Sequence, residues 1–170
     1  YHSFAWLNTF QALLLEWIVG PFAAYNLVLM IGIALSGWGL YRLSLYLTQD
    51  RAAAFVAGVA FAFTPYRITQ VNHAFFVTIG MVPLFLLHLL RIVEKQRWID
   101  VAFAGLLLAL AGLNAWQMFI YAWMMWGLYV IYLLLFERDS FSWRALGLFA
   151  LVGALALMIV LPVLLPLLRV

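Results

Sequence analysis

Apolar residues run through most of this chain in long blocks, and the polar positions between them mark where each block stops. Trp6, Leu7, Phe10, Leu13, Leu14 and Trp17 recur at helical spacing, with Asn8, Gln11 and Glu16 interrupting the apolar surface. Residues 1–21 therefore predict an amphipathic, interfacial helix that Gly20-Pro21 ends. Residues 22–47 predict a first full span of about 39 Å at the helical rise. Gly32 and Ser36 form a small-xxx-small pair on it that admits a close neighbour. Residues 52–63 reach only about 18 Å, against a hydrocarbon core of about 30 Å. Pro65 then removes a backbone donor and disfavours helix at Thr64. A span over about 52–72, broken at Pro65, is expected. Ala53, Ala54, Ala57, Gly58 and Ala62 give its first half small-residue faces suited to packing inside a bundle.

Residues 74–92 predict a continuous span kinked at Pro83. Arg91, Glu94, Lys95, Arg97 and Asp100 place 91–100 in water. Residues 99–136 predict two helices separated by a polar break at 114–117. The charged turn 137–144 follows, and 145–168 is the last span, its end bent by Pro162 and Pro166. Ala54-Phe55-Val56-Ala57-Gly58 and Val101-Ala102-Phe103-Ala104-Gly105 both open a short helix that leads to a polar break. An internal repeat and convergent composition are both compatible with that likeness.

Composition decides the solvent. The chain is 69% hydrophobic and 9% charged, where soluble domains are about half apolar and about a quarter charged. Too little polar surface exists to cover a soluble globule, so the lipid bilayer is the first partner. The expected fold class is all-α: a polytopic transmembrane helix bundle with short and broken helices, forming a single transmembrane domain over 1–170. The net charge of +3 does not indicate nucleic acid, because the basic residues cap apolar runs and form no stripe. No cysteine is present, which excludes disulfide and thiolate chemistry within these residues. No cofactor or metal-ligand set is evident; a divalent cation is compatible with the sequence but not indicated by it. No protein partner is indicated either. The sequence opens at Tyr1 without a methionine or a signal-peptide pattern and ends at Arg169-Val170 straight after an apolar run, so a piece of a longer polytopic protein is expected.

If each short helix and its break cross the membrane, the polar turns fall on two sides. One side holds 48–51, 91–100 and 137–144, with Arg51, Arg91, Lys95, Arg97, Arg138 and Arg144. The other holds 1–21, 64–73 and 114–117, with Arg67 as its basic residue apart from Arg169 near the end of the chain. The positive-inside rule assigns the first side to the cytoplasm of an inner-membrane protein. Glu16, Asn26, Thr64 to His73 and Asn114 to Gln117 then converge on the outer side around an expected polar cavity. A non-helical backbone at that depth must be buried in protein or line water.

The candidate binding residues are Arg67, Tyr66, Gln70, Asn72, His73, Asn114, Trp116 and Gln117. A guanidinium at membrane depth costs about 2.5–3.5 kcal/mol on insertion scales. Arg67 therefore calls for a partner, and a phosphate held by a bidentate fork fits it; the bland reading is snorkelling to headgroups. Tyr66, Gln70 and Asn72 either bind a polar substrate such as a sugar or satisfy backbone freed by Pro65. His73 is an acid–base candidate or a structural helix-start residue. Trp116 stacks on a sugar or belongs to the interfacial aromatic belt, beside the amides of Asn114 and Gln117. Glu16 is the carboxylate on the outer side and the weak candidate for a general base. Arg42 and His88 are read as structural, and the methionines as packing. No HExxH, P-loop, GxSxG or GxGxxG pattern occurs.

One resemblance carries further. Gly20-Pro21, Ala24-Tyr25-Asn26-Leu27, Gly37, Gly39 and Tyr41, then Ala57-Gly58 and Phe61-Ala62-Phe63-Thr64-Pro65-Tyr66-Arg67 with His73, resemble multi-pass bacterial and archaeal glycosyltransferases of the GT-C superfold. The resemblance covers about residues 1–135 and is weak as to substrate. It implies transfer of a sugar from a polyprenyl-phosphate donor on the extracytoplasmic face. It also implies a catalytic acid in an outer loop that would lie mostly before Tyr1. A transporter or flippase for a lipid-linked or polar solute is the alternative from another class, since broken helices around a polar centre also suit that work. A non-catalytic membrane scaffold is the third.

Overall fold

The computed structural model describes residues 5–70, 73–137 and 142–167. Among them the chain is all-α, with no strand. The segments are α1 (Trp6–Val19), α2 (Pro21–Thr48), α3 (Arg51–Ala62), α4 (Pro65–Thr69), α5 (Ala74–Val77), α6 (Met81–Lys95), α7 (Trp98–Asn114), α8 (Trp116–Phe136) and α9 (Trp143–Leu167). Among the described residues four stretches are long and apolar enough to cross a membrane: Pro21–Thr48, Arg51–Thr69, Trp116–Phe136 and Trp143–Val163. The protein is a multi-pass membrane helix bundle.

Local chemistry sets the helix ends. Pro21 opens α2 at its first position, where the missing N–H would have no helical partner. Gln49 closes α2 in the left-handed region at φ 56°. Asp50 then caps α3, its carboxylate accepting from the backbone N–H of Ala52 at 2.8 Å and Ala53 at 3.2 Å. A two-residue turn thus makes α2 and α3 an antiparallel hairpin. The hairpin closes on glycine: a Cβ added to Gly58 would stand 2.7 Å from the Gly37 carbonyl oxygen.

Helices α6, α7, α8 and α9 share the apolar core, built from Phe85, Ile92, Leu108, Phe119, Phe149 and Val152. The α2 helix joins the two halves, packing against α1 and α3 on one part and α5 and α6 on the other. Gly80 sits directly on the α2 backbone, where a Cβ would fall 2.6 Å from the Leu35 carbonyl oxygen.

The charged turns gather at one end of the bundle. Near the end of α2 the Tyr46 hydroxyl donates to Glu94, and Arg91 lies over the Tyr46 ring at 5.3 Å. Gln96 donates to the Ser142 hydroxyl at 2.9 Å, and that hydroxyl in turn accepts the Ala145 N–H at the start of α9.

The structure departs from the sequence expectation in two places. The stretch 74–92 is not one helix bent at Pro83. It breaks at 78–80, and Pro83 lies in the first turn of α6, where proline is tolerated. Asp100 is buried rather than aqueous. Because α7 begins at Trp98, Asp100 occupies its first turn, facing α6, and meets His88 Nδ1 at 2.8 Å. The ring of His88 also stacks on Phe103 at 5.2 Å. The two similar glycine segments have different partners. Gly58 faces the preceding helix α2, whereas Gly105 faces Leu155 of α9, a difference that favours convergent composition over a repeat.

These contacts predict opposite effects for two Gly→Ala changes. Gly80→Ala should lower the thermal unfolding midpoint in detergent, by overpacking worth about 1–3 kcal/mol. Gly147→Ala meets nothing within 4 Å on α9 and should raise the midpoint slightly, because alanine is the better helix former by about 1 kcal/mol. Scanning fluorimetry of the two variants beside the parent checks both signs.

Candidate functional site

The site builds from the end of α3. Phe63 closes that helix, and Thr64 is held near φ −56° and ψ 137°, the extended geometry that the residue before a proline prefers. Pro65 opens the five-residue α4, which ends at Thr69, where the Thr69 hydroxyl bonds back to the Tyr66 carbonyl at 2.8 Å. This short turn carries Arg67 inward. Its side chain is 3% exposed, and its guanidinium lies over the Phe61 ring, 4.1 Å from the centroid.

That ring is a cation–π partner worth about 2 kcal/mol when desolvated, but it satisfies no N–H. Both Nη1 and Nη2 are buried with no hydrogen-bond partner among the described residues. A buried polar group left unpaired costs about 1–3 kcal/mol, and more when charged. An anion that accepts from both nitrogens removes that cost and neutralises the charge at the same time.

The other predicted residues divide sharply. Tyr66 and His73 are exposed near Arg67 in sequence, and both rings meet Phe76 edge-on, at 6.1 Å and 6.2 Å between centroids. Gln70 is half-buried, and its N–H caps the turn on the Arg67 carbonyl at 3.1 Å. Asn72 lies outside the described residues. Glu16 is exposed on α1. Trp116 and Gln117 are exposed at the start of α8, with Trp116 stacked on Phe119 at 5.3 Å.

Asn114 is buried among the helices. It is 1% exposed and held in a polar node. Its Nδ2 donates to the Thr78 carbonyl at 3.1 Å, and its Oδ1 accepts from the Thr78 hydroxyl at 2.9 Å. Asn8 of α1 reaches the same hydroxyl, its Nδ2 donating to Thr78 Oγ1 at 3.1 Å. Ser36 of α2 completes the group, its hydroxyl lying 3.1 Å from the Val77 carbonyl and 2.7 Å from the Gly32 carbonyl. The break at 78–80 frees backbone carbonyls, and Ser36 and Asn114 accept the task of pairing them. The chemistry here is structural. Thr78 and Asn8 escape a reading by sequence because a lone threonine in an apolar run ordinarily bonds its own helix. Asn8 likewise reads as the polar side of an interfacial helix.

Cavities accompany these elements among the described residues. One of about 490 Å³ runs between α2 and α3, over Gly37 and Gly58, and its lining is almost wholly apolar. A second, of about 220 Å³, lies beside Thr78 and takes Leu7 and Gln11 from α1. A third, of about 500 Å³, lies at the charged end between Glu94, Tyr129, Tyr132 and Glu137. No group of three or more His, Cys, Asp or Glu with metal-binding placement occurs among the described residues.

Fold and site together define a polytopic α-helical membrane protein with a buried, unsatisfied arginine at a helix break. No family model, curated protein or solved structure matches this chain.

The polar node makes a coupled prediction. Thr78→Val should destabilise the bundle by about 1 kcal/mol, within the range measured for hydrogen bonds inside membrane proteins. Combining it with Asn114→Ala should cost less than the sum of the two singles, because both remove the same bonds. Reversible unfolding of the four proteins in mixed micelles measures the coupling; strict additivity would place the two residues in separate interactions.

Proposed function

We propose that the protein is an integral-membrane glycosyltransferase of the GT-C kind, using a polyprenyl-phosphate-linked sugar on the extracytoplasmic face. The observation that carries this reading is Arg67: a nearly fully buried guanidinium with two unpaired nitrogens at a proline-made helix break. A lipid phosphate supplies what that group lacks, namely an anion with several acceptor oxygens delivered from within the bilayer. The resemblance of Phe61 to Arg67 to the superfold supplies the reaction class.

In that reaction an acceptor hydroxyl attacks the anomeric carbon, the carbon–oxygen bond to phosphate breaks, and the lipid phosphate leaves with the electron pair. Arg67 would hold the phosphate and stabilise the charge it gains, a form of electrostatic catalysis. Tyr66 and His73 are exposed on the same short stretch. The general base that removes the acceptor proton is not assigned to a residue of this chain, since Glu16 has no placement that links it to Arg67.

Binding of radiolabelled polyprenyl monophosphate to the purified protein tests the reading. Arg67→Ala should weaken binding about tenfold to a hundredfold, the worth of charge-assisted hydrogen bonds to phosphate. Arg67→Lys should recover only part, because lysine lacks the bidentate fork. Equal affinity in all three proteins, each monodisperse and folded, would remove Arg67 from any phosphate site.

The same reading places the end that carries Arg51, Arg91, Lys95, Arg97 and Arg144 in the cytoplasm, by the positive-inside rule. The chain has no cysteine, so single cysteines report sidedness directly. In intact cells a membrane-impermeant maleimide should label Gln117→Cys, and should label Arg97→Cys only after permeabilisation. The reverse pattern would invert the topology.

A further inference from the structure

The apolar cavity between α2 and α3 is separate from Arg67. Arg67 lies over Phe61, whereas α3 lines the cavity with Phe55, Gly58, Val59, Ala62 and Phe63. These five recur at i, i+3, i+4, i+7 and i+8, one helix face, and Phe61 falls outside it. The floor is made of small residues. Gly37 and Gly58 bring the two backbones together, and Ala34 and Ala62 extend the depression towards Met30. Phe55, Phe63 and Trp38 stand as exposed walls, so the groove opens sideways into the region occupied by lipid.

Its dimensions select the occupant. From Met30 to Tyr41 the groove follows α2 for about 16 Å, close to half of the roughly 30 Å hydrocarbon core. A volume of about 490 Å³ spread over that length leaves a mean cross-section of about 30 Å². A single hydrocarbon chain lying along the bilayer normal fits such a depression.

A charge marks one end. The Arg42 guanidinium lies 5.5 Å from the centroid of Trp38, which forms a wall of the groove. No hydrogen bond or ion pair engages Arg42 among the described residues. The nearest acid along the chain, Asp50, has its carboxylate committed to capping α3. Arg42 lies on the last turns of α2, towards the charged end of the bundle, where a headgroup phosphate would sit above its acyl chain.

We infer that the α2–α3 groove is a binding site for one anionic phospholipid, its acyl chain over Gly37 and Gly58 and its phosphate at Arg42. The lipid completes the hairpin surface, filling a depression that the two glycines create. The inference does not depend on any activity at Arg67.

The test is native mass spectrometry of the protein released from nanodiscs of equimolar phosphatidylglycerol and phosphatidylcholine. The parent should retain one phosphatidylglycerol in preference to phosphatidylcholine. Arg42→Gln should lower that preference about fivefold, the worth of one basic residue near an anionic surface, while leaving the fold intact. Ala34→Phe, which fills the groove from an exposed position, should abolish retention of either lipid. Retention of neither lipid by the parent, an equal share of both, or a preference that survives Arg42→Gln would each overturn the proposal. So would an unchanged bound lipid in a folded Ala34→Phe protein. In the longest available form of the protein, a spin label at Val59→Cys should be accessible to oxygen dissolved in lipid. A shielded label would show that protein covers the groove, which also overturns it.

Discussion

A helix interrupted inside a bilayer must find partners for the backbone groups it frees, because no water is present to supply them. The break at 78–80 is where this constraint acts most visibly. Three separate elements contribute to it: Ser36 from α2, Asn114 from the end of α7 and Asn8 from α1, with the Thr78 hydroxyl shared between the two amides. By helical rise the break lies about 21 Å from Lys95, well inside the depth of a hydrocarbon core. Without those side chains the interruption would expose carbonyls to an apolar medium. With them it becomes the point at which α1, α2 and α7 are tied together.

Close backbone approach is the second half of the same arrangement. Gly32 meets Thr78, Gly39 and Gly80 bring α2 and the start of α6 together, and Gly37 meets Gly58. Lipid offers no hydrophobic drive for helices to associate, so van der Waals contact between small residues and polar bonds must supply the stability. The α2 helix therefore acts as the spine, with Gly32, Ser36 and Gly39 among the buried residues by which it meets its neighbours.

Much of this was legible before the structure. The apolar blocks, the break before Pro65, the division at 114–117 and the close-packing role of Gly32 and Ser36 all follow from local pattern. What was hidden depends on tertiary satisfaction. Thr78-Ile79-Gly80 contains no local signal strong enough to end a helix, whereas Pro83 looks like one; the hydrogen bonds from other helices reverse that order. Asp100 reads as aqueous because it follows a charged turn, yet one turn of α7 carries it beneath His88. At the site, the need of Arg67 for a partner was visible in its position, and the burial that leaves two nitrogens unpaired was not. Asn114 was grouped with it by sidedness alone, and the structure engages it elsewhere.

The α2–α3 hairpin also bears on biogenesis. Arg51–Thr69 is the least hydrophobic of the four candidate spans, with mean hydropathy 1.3 against 2.6 for Trp143–Val163, and it carries a charge at each end in Arg51 and Arg67. Alone it is a poor substrate for partition from the translocon into lipid, since arginine opposes insertion. Its polar turn holds only Gln49 and Asp50, and its closest contact is with the helix made immediately before it. The preceding α2, longer and somewhat more apolar at mean hydropathy 1.6, is thus placed to hold the following segment at the translocon, so that the two leave it as one unit. The glycines that shape the mature surface would then already be in contact while the rest of the chain is being synthesised.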